Sequence, residues 1–296
     1  MSDASKKARR DQAREHAREM REQERRRKAR TGWIVKGGVG LALVAIAVVT
    51  VLIVNNVRQA ELEAAAPKPG PANMLSDGIL LTGDGTGEIV AVPTAAIAAD
   101  GTPVPTDPTA YADTVNIVTY VDYLCPVCQA FEQANAEQLG TWVSAGVATL
   151  EVHPIAILDG ASQGTRYASR AANAMACVAE YQPNVYFQAS GAMYASQPAE
   201  GTPGLTNDEI ALVLANGGVT EPRVGDCVAN ETFQQWVTAA TERTSVGPIP
   251  NSELARVGGT PTVLVNGVQY SGSINDAAAF AAFVGSIANG TYVPAG

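Results

Sequence analysis

The sequence predicts an α/β domain interrupted by a helical insertion and held behind a membrane-spanning segment. Three features of the 296 residues point there. An uncharged apolar run follows a basic leader, a β-branched run changes to helical composition at Cys125, and β composition returns late in the chain at Pro261.

The leader, residues 1–32, carries twelve Lys or Arg against six Asp or Glu over its first thirty positions. Pairs such as Glu22/Arg26 and Glu24/Lys28 at i,i+4 read as a solvated charged helix. The span assigned to residues 33–57 centres on Gly37–Val54, where Thr50 is the single polar side chain. A helix of that length reaches about 27 Å, close to the roughly 30 Å hydrocarbon core of a bilayer. Trp33 stands where an interfacial aromatic belongs, and Lys36 is placed to snorkel. The positive-inside rule then keeps the N-terminus cytoplasmic and exports everything from Arg58 onward, so a single-pass anchor in the lipid bilayer is expected. A cleaved leader is the rival reading, because Ala64–Ala66 offers small residues of the A-x-A kind. Against it, the apolar run is longer than a roughly 7–15-residue h-region, and polar Asn55–Glu63 intervenes.

The formal net charge of -9 hides an uneven distribution. From Arg58 onward there are seven basic and twenty-three acidic side chains, a net of -16, which disfavours nucleic acid as a partner. All four cysteines follow the apolar run, and an even count there fits a compartment in which disulfides persist. With His16 in the leader, His153 is the one imidazole of the main body, expected to be a satisfied core or loop residue. Histidine-rich metal sites and Ser-His-Asp machinery have no material to draw on, and neither metal nor cofactor is expected.

Residues 58–111 read as linker, since positions 67–110 hold seven prolines and six glycines. One island stands out: Ile79–Leu81 and Ile89–Val92 flank Thr82-Gly-Asp-Gly-Thr-Gly87 and predict a small hairpin packed on the domain that follows. That domain takes residues 112–159 and 246–296. Its first strand is Thr114–Val121, followed by a helix from Cys125 to Leu139 and a strand over Val147–Val152. Pro261–Asn266 and Val268–Ser271 make a hairpin through Asn266-Gly267, and Asp276–Ile287 closes as a helix. The insertion, residues 160–245, holds helices at Arg166–Tyr181, after the capping box Thr206-x-x-Glu209, and near Glu231–Arg243.

The chemistry concentrates in Cys125-Pro126-Val127-Cys128. At the start of a helix the unpaired N–H groups and the partial positive charge favour thiolate over thiol. Cys125 is therefore assigned as the nucleophile, and Cys128, one turn along, as the resolving thiol. Pro126 fits the first turn, where its missing donor costs little. Half of a zinc site is a competing reading, but Cys177 and Cys227 stand alone rather than as a second close pair. A purely structural disulfide is another, although so short a loop closes little chain entropy. Cys177 and Cys227 fall on two predicted helices of the insertion and are expected to bridge; two separate buried thiols are the alternative. Pairing either with the dithiol would abolish its exchange chemistry.

The segment Asn116-Ile-Val-Thr-Tyr-Val-Asp-Tyr-Leu-Cys-Pro-Val-Cys-Gln-Ala-Phe-Glu132 resembles the active-site strand and helix of the DsbA-like thioredoxin family. Gly258-Gly-Thr-Pro-Thr-Val-Leu-Val-Asn-Gly267 is similar to that family's loop bearing a cis proline beside the dithiol. The likeness covers about residues 112–290. It implies a thioredoxin-like fold, preceded here by the membrane helix, and a thiol–disulfide oxidoreductase. It also implies that Thr260 and Pro261 offer a backbone edge to an extended substrate chain. The expected partners are exported proteins with unpaired cysteines and a membrane redox partner that reoxidises the pair. An extracytoplasmic reductase or isomerase, and a non-catalytic chaperone of the same shape, are the alternatives.

Two departures from the family pattern alter the expectation. Val127 stands where the family often has a histidine, so Cys125 is expected to titrate nearer about 7 than about 3.5. Thr119 stands six positions before Cys125, where such proteins commonly bury an acid that serves the resolving cysteine, and a hydroxyl cannot replace it. Asp122 is expected in the exposed loop.

Overall fold

The protein is described here from a computed structural model covering residues 14–28, 30, 48–59 and 66–293. It divides into two units, residues 1–66 and 67–296. In the first, residues 14–28 and 48–59 are helical with exposed side chains. Among the described residues no helix is long and apolar enough to cross a membrane. The expected span Gly37–Val54 lies mostly outside those residues, as do Trp33, Lys36 and most of Ala64–Ala66.

The second unit is built on a six-stranded sheet. Its strands are β1 (Ile79–Gly83), β2 (Ile89–Ala91), β3 (Val115–Val121), β4 (Ala148–Pro154), β5 (Thr262–Val265) and β6 (Val268–Gln269), in the order β2-β1-β4-β3-β5-β6. Only β3 and β4 run parallel; the other pairs are antiparallel. The parallel pair needs a crossover, which the helix α1 (Pro126–Ser144) supplies. Every residue of β4 is buried, as expected of a strand covered on both faces.

Alternation along β3 divides the interior. Ile117 and Val121 join the main core with Phe131 and Leu139 of α1 and Phe280 of the closing helix α7 (Ala277–Ala288). Phe131 and Phe280 meet edge to face at 5.3 Å. Tyr120 points the other way, into a smaller cluster with Ile155, Ile249, Val257 and Leu264. The turn between β5 and β6 has Asn266 at φ 45° and Gly267 at φ 80°, both left-handed as a type I′ hairpin requires. A side chain at Gly267 would also collide with the Asn251 carbonyl oxygen.

The hairpin expected at Ile79–Leu81 and Ile89–Val92 is present as β1 and β2, and the linker reading of the residues around it is corrected from Pro67 onward. β1 pairs with β4, in register Leu81↔Leu150, and β2 lines its outer edge. Met74 and Ile79 are fully buried. Asp77, itself buried, accepts two bonds of 2.7 Å from the Arg243 guanidinium and one of 3.0 Å from Trp236 Nε1. The physical reason lies in the partner surface. Proline and glycine keep this segment irregular, yet its short apolar runs cover the edge of β4, which would otherwise present unpaired backbone groups.

The insertion holds five helices, where three were expected: α2 (Tyr167–Tyr181), α3 (Tyr186–Ala195), α4 (Asn207–Asn216), α5 (Pro222–Ala229) and α6 (Gln234–Val246). The capping box that opens α4 has both of its bonds, Glu209 N–H to Thr206 Oγ1 at 3.2 Å and Thr206 N–H to Glu209 Oε2 at 2.8 Å. Cys227, expected on a helix, lies on α5, separate from the helix that the capping box opens, while α3 is a helix the sequence did not announce, too short for a sustained 3.6-residue period. Cys177 of α2 and Cys227 of α5 form a disulfide with a Cα separation of 5.8 Å.

Candidate active site at the tip of helix α1

Strand β3 ends at Val121, and the chain turns through Asp122-Tyr123-Leu124 into the helix. The Asp122 side chain holds that turn by accepting from Leu124 N–H at 2.8 Å and from Leu158 N–H at 3.0 Å. Its own carbonyl accepts from Cys125 N–H at 3.0 Å. Asp122 is fully buried, which corrects its expected exposure. Burial is the main force on its carboxyl, opposed by the two N–H donors and reinforced by the charge of Cys125, and the result is a rise to about 7.

Cys125 is itself the N-cap of α1, at φ -75° and ψ 117°, with Pro126 in the first turn and Cys128 at the third helical position. Both thiols are free and both are buried. Their environments pull them apart. The Cys128 thiol donates to the Cys125 sulfur, and together with Thr260 and the N–H groups of Cys128 and Val127 it outweighs burial, bringing Cys125 down to about 6. Cys128 is pushed well above its ordinary value, by burial first and then by the sulfur beside it. One sulfur is thus an anion near neutrality while its neighbour keeps its proton.

The Thr260–Pro261 peptide is cis, and Cys125 Sγ lies 3.1 Å from the Thr260 carbonyl oxygen, to which the thiol donates when it is protonated. Antiparallel pairing of β5 with β3 sets Thr262 opposite Tyr120, which brings this loop to the same end of the sheet as the dithiol. Val127 is 47% exposed, and its side chain offers no polar atom to either sulfur. Cys125, Pro126, Val127, Cys128, Thr260 and Pro261 therefore converge, whereas Cys177–Cys227 and His153 lie elsewhere. Among the described residues no group of three or more His, Cys, Asp or Glu is placed to hold a metal ion.

Sequence reasoning missed two groups of residues here. Gln197 Nε2 donates to the carbonyls of Tyr123 and Cys125 at 3.0 and 3.1 Å, and Gln129 Nε2 donates to the Tyr194 carbonyl at 2.7 Å. These bonds fix the active-site turn to the insertion. Glu132, one helical turn past Cys128, shares a small cavity with Cys128, Thr119 and Tyr194. Packed atoms around it push its carboxyl up to about 7. The i,i+4 spacing from Cys128 was the available signal. Thr119, standing where the family pattern commonly buries an acid, is buried in the same wall.

The thioredoxin family profile matches residues 110–284. Among solved structures the chain is similar to DsbA from Mycobacterium tuberculosis, at 27% identity and a TM-score of 0.51, covering 71% of this chain and 92% of that one. It is similar also to DsbG, a disulfide bond oxidoreductase from the same organism, at 26% identity and a TM-score of 0.52, over 71% and 87%. BdbD from Bacillus subtilis, at 14% identity and a TM-score of 0.51 over 75% and 98%, shares the fold. No curated protein matches the sequence.

Proposed function

Because the chain belongs to the thioredoxin family, within its DsbA-like group of thiol–disulfide oxidoreductases, we propose that it forms disulfides in exported proteins by exchange through Cys125 and Cys128. The observation that carries this reading is the split between the two sulfurs at the helix tip, one at about 6 and the other well above its ordinary value. A stabilised thiolate is a good leaving group, so a disulfide made through it is readily given away.

In the donor direction, a substrate thiolate attacks Cys125 Sγ of the Cys125–Cys128 disulfide. The S–S bond breaks, a mixed disulfide forms, and Cys128 leaves as a thiolate that takes up a proton. Glu132, protonated below about 7 and in the same cavity, is placed to supply it. A second substrate thiolate then attacks the substrate sulfur of the mixed disulfide and releases Cys125 as its stabilised anion. Two electrons have moved from the substrate to the dithiol, and a membrane redox partner removes them. Thr260 and Pro261 align the substrate's extended backbone beside Cys125. On this reading the apolar run Gly37–Val54 serves as the anchor in the bilayer, with the acidic domain outside the cytoplasm.

A second reading, reductase or isomerase, is favoured by Val127, which withholds the polar group that would lower Cys125 further. Redox potential separates the two, with about -120 mV marking an oxidant and about -270 mV a reductant. Thiol trapping in cells is expected to find the pair mostly oxidised. A mostly reduced pair would assign the chain to the second reading, and a Cys125→Ser variant that kept full activity would remove both.

A further inference from the structure

The insertion reaches the dithiol through two glutamines that share two acceptors. The Cys125 carbonyl accepts from Gln129 N–H and from Gln197 Nε2, each at 3.1 Å. The Tyr194 carbonyl accepts from Gln129 Nε2 at 2.7 Å and from Gln197 N–H at 3.2 Å. Each glutamine thus gives one backbone and one side-chain donor to the same two carbonyls, one at the nucleophile and one at the end of α3. The ring so formed clasps the first turn of α1 to the insertion.

Gln197 Nε2 gives a further bond of 3.0 Å to the Tyr123 carbonyl, which has no other donor among the described residues. Tyr123 is fully buried, and a carbonyl left without a partner there is costly. Carbonyls only accept, so the end of Gln197 that faces them is the NH2 group, and a carboxylate cannot take its place. Asp122 fastens the opposite edge of the turn through Leu124 N–H and Leu158 N–H. Between the two, Cys125 is held as the extended N-cap of α1, where its sulfur meets the N–H groups of Val127 and Cys128. A turn free to relax would lengthen those contacts, and hydrogen bonds weaken steeply as they lose alignment. The loop that carries Gln197 is tied a second time, away from the dithiol. There Gly201 N–H donates to the Ala161 carbonyl at 2.7 Å, and Gln163 Nε2 donates to the Gly201 carbonyl at 2.6 Å.

We propose that Gln197 is a positioning residue for exchange: through its clasp with Gln129 the insertion holds the Cys125 sulfur against the first N–H groups of α1, and so sets how well that sulfur attacks and leaves. The inference rests on the reading of Cys125 as the exchanging sulfur. It assigns the insertion a part in the chemistry, because no other tie of this loop aims donors at the active-site turn.

The test sets Gln197→Met, which keeps the length of the side chain and removes its donors, against Gln163→Met, which loosens the same loop at its other tie. In the reduced full-length chain the rate at which iodoacetamide alkylates Cys125 is followed against pH by mass spectrometry, with folding checked by chemical denaturation. Gln197→Met is expected to raise the midpoint by about one unit, the tenfold scale on which a single hydrogen bond acts. The equilibrium constant for reduction of the pair by glutathione should fall severalfold with it. Gln129→Met should shift the midpoint in the same sense, and the double variant no further than Gln197→Met, since a single clasp is opened. Gln163→Met should leave the midpoint in place even where it lowers stability. The proposal is overturned by an unchanged midpoint in Gln197→Met, or by an equal rise in Gln163→Met, which would reduce the clasp to general support of the loop. Should Gln197→Met not fold, Gln129→Met decides by the same midpoint. Failure of the unaltered chain to transfer a disulfide to a reduced peptide would instead remove the reading beneath the proposal, and the midpoints would still show whether Gln197 positions the sulfur.

Discussion

Cys125 and Cys128 stand two residues apart at the tip of one helix, whereas Cys177 and Cys227 are separated by 50 positions and sit on two helices of the insertion. The chemistry of the four sulfurs is the same; their connectivity and surroundings are not. A bridge across 50 positions removes a large share of the unfolded chain's freedom, while one across two residues removes little. Conversely, the short pair has one sulfur at a helix N-terminus with the Cys128 thiol, the Thr260 side chain and two backbone N–H groups around it, which stabilise the reduced form as a thiolate. Loop length makes one bond persist, and a helix tip makes the other exchangeable.

Two sets of variants test that contrast most strongly. Cys125→Ser is expected to lower the rate of disulfide transfer to a reduced peptide by about three orders of magnitude, since the attacking and leaving sulfur is gone. Cys177→Ala with Cys227→Ala should leave that rate within about twofold but cost about 4 kcal/mol of stability in chemical denaturation, the chain-entropy value for a loop of this length. If the double variant loses activity in proportion to its stability, the insertion does more than support the site. Reducing the Cys125–Cys128 bond alone should cost the fold nothing comparable.

The ionisation of Cys125 gives the contrast a pH signature. Its folded value is about 6 against an ordinary 9.0, so the thiolate's contribution to stability is full above about 9 and lost as pH falls through 6. The reduced protein should therefore gain on its Cys125→Ser variant between pH 6 and 9. Thiolate absorbance at 240 nm should titrate at about 6. Glu132 runs in the opposite sense. Its folded value of about 7 lies above an ordinary 4.5, so its contribution is full below 4.5 and lost as pH rises through 7. Glu132→Gln should flatten stability across that window and slow exchange at pH 6 severalfold. An unchanged exchange rate would leave Glu132 a structural acid and send the proton of Cys128 elsewhere.

How much of this was legible follows from how local each signal is. The strand, dithiol and helix occupy one continuous segment, and Gly-Gly-Thr-Pro carries its own backbone chemistry, so both appeared in sequence. The capping box of α4 was readable for the same reason. What was not readable depends on distant partners. Asp77 becomes a buried anchor through Arg243, 166 positions away, and without that contact residues 67–110 look like linker. Asp122 follows a strand and looks like loop, because nothing nearby shows that Leu158 will cover it. Glu132 shares its turn with Cys128, but the wall that encloses it comes from Thr119 on β3 and from Tyr194 on α3.

The smallest expected effect isolates the residue between the cysteines. Val127 is exposed and contributes only its backbone N–H to the Cys125 sulfur, so its side chain can be changed without opening the core. Val127→His adds an imidazolium within reach of the thiolate, and an opposite charge at that distance favours ionisation. Cys125 should fall below 6 by about one unit, equivalent to roughly 1.4 kcal/mol of added preference for the reduced form. The redox potential should rise by about 30 mV for this two-electron couple. The two readouts must move together, because the same thiolate sets both. A potential that rose without a fall in the titration of Cys125 would place the control of this pair in its disulfide form, and the contrast drawn above would then rest on strain rather than on charge.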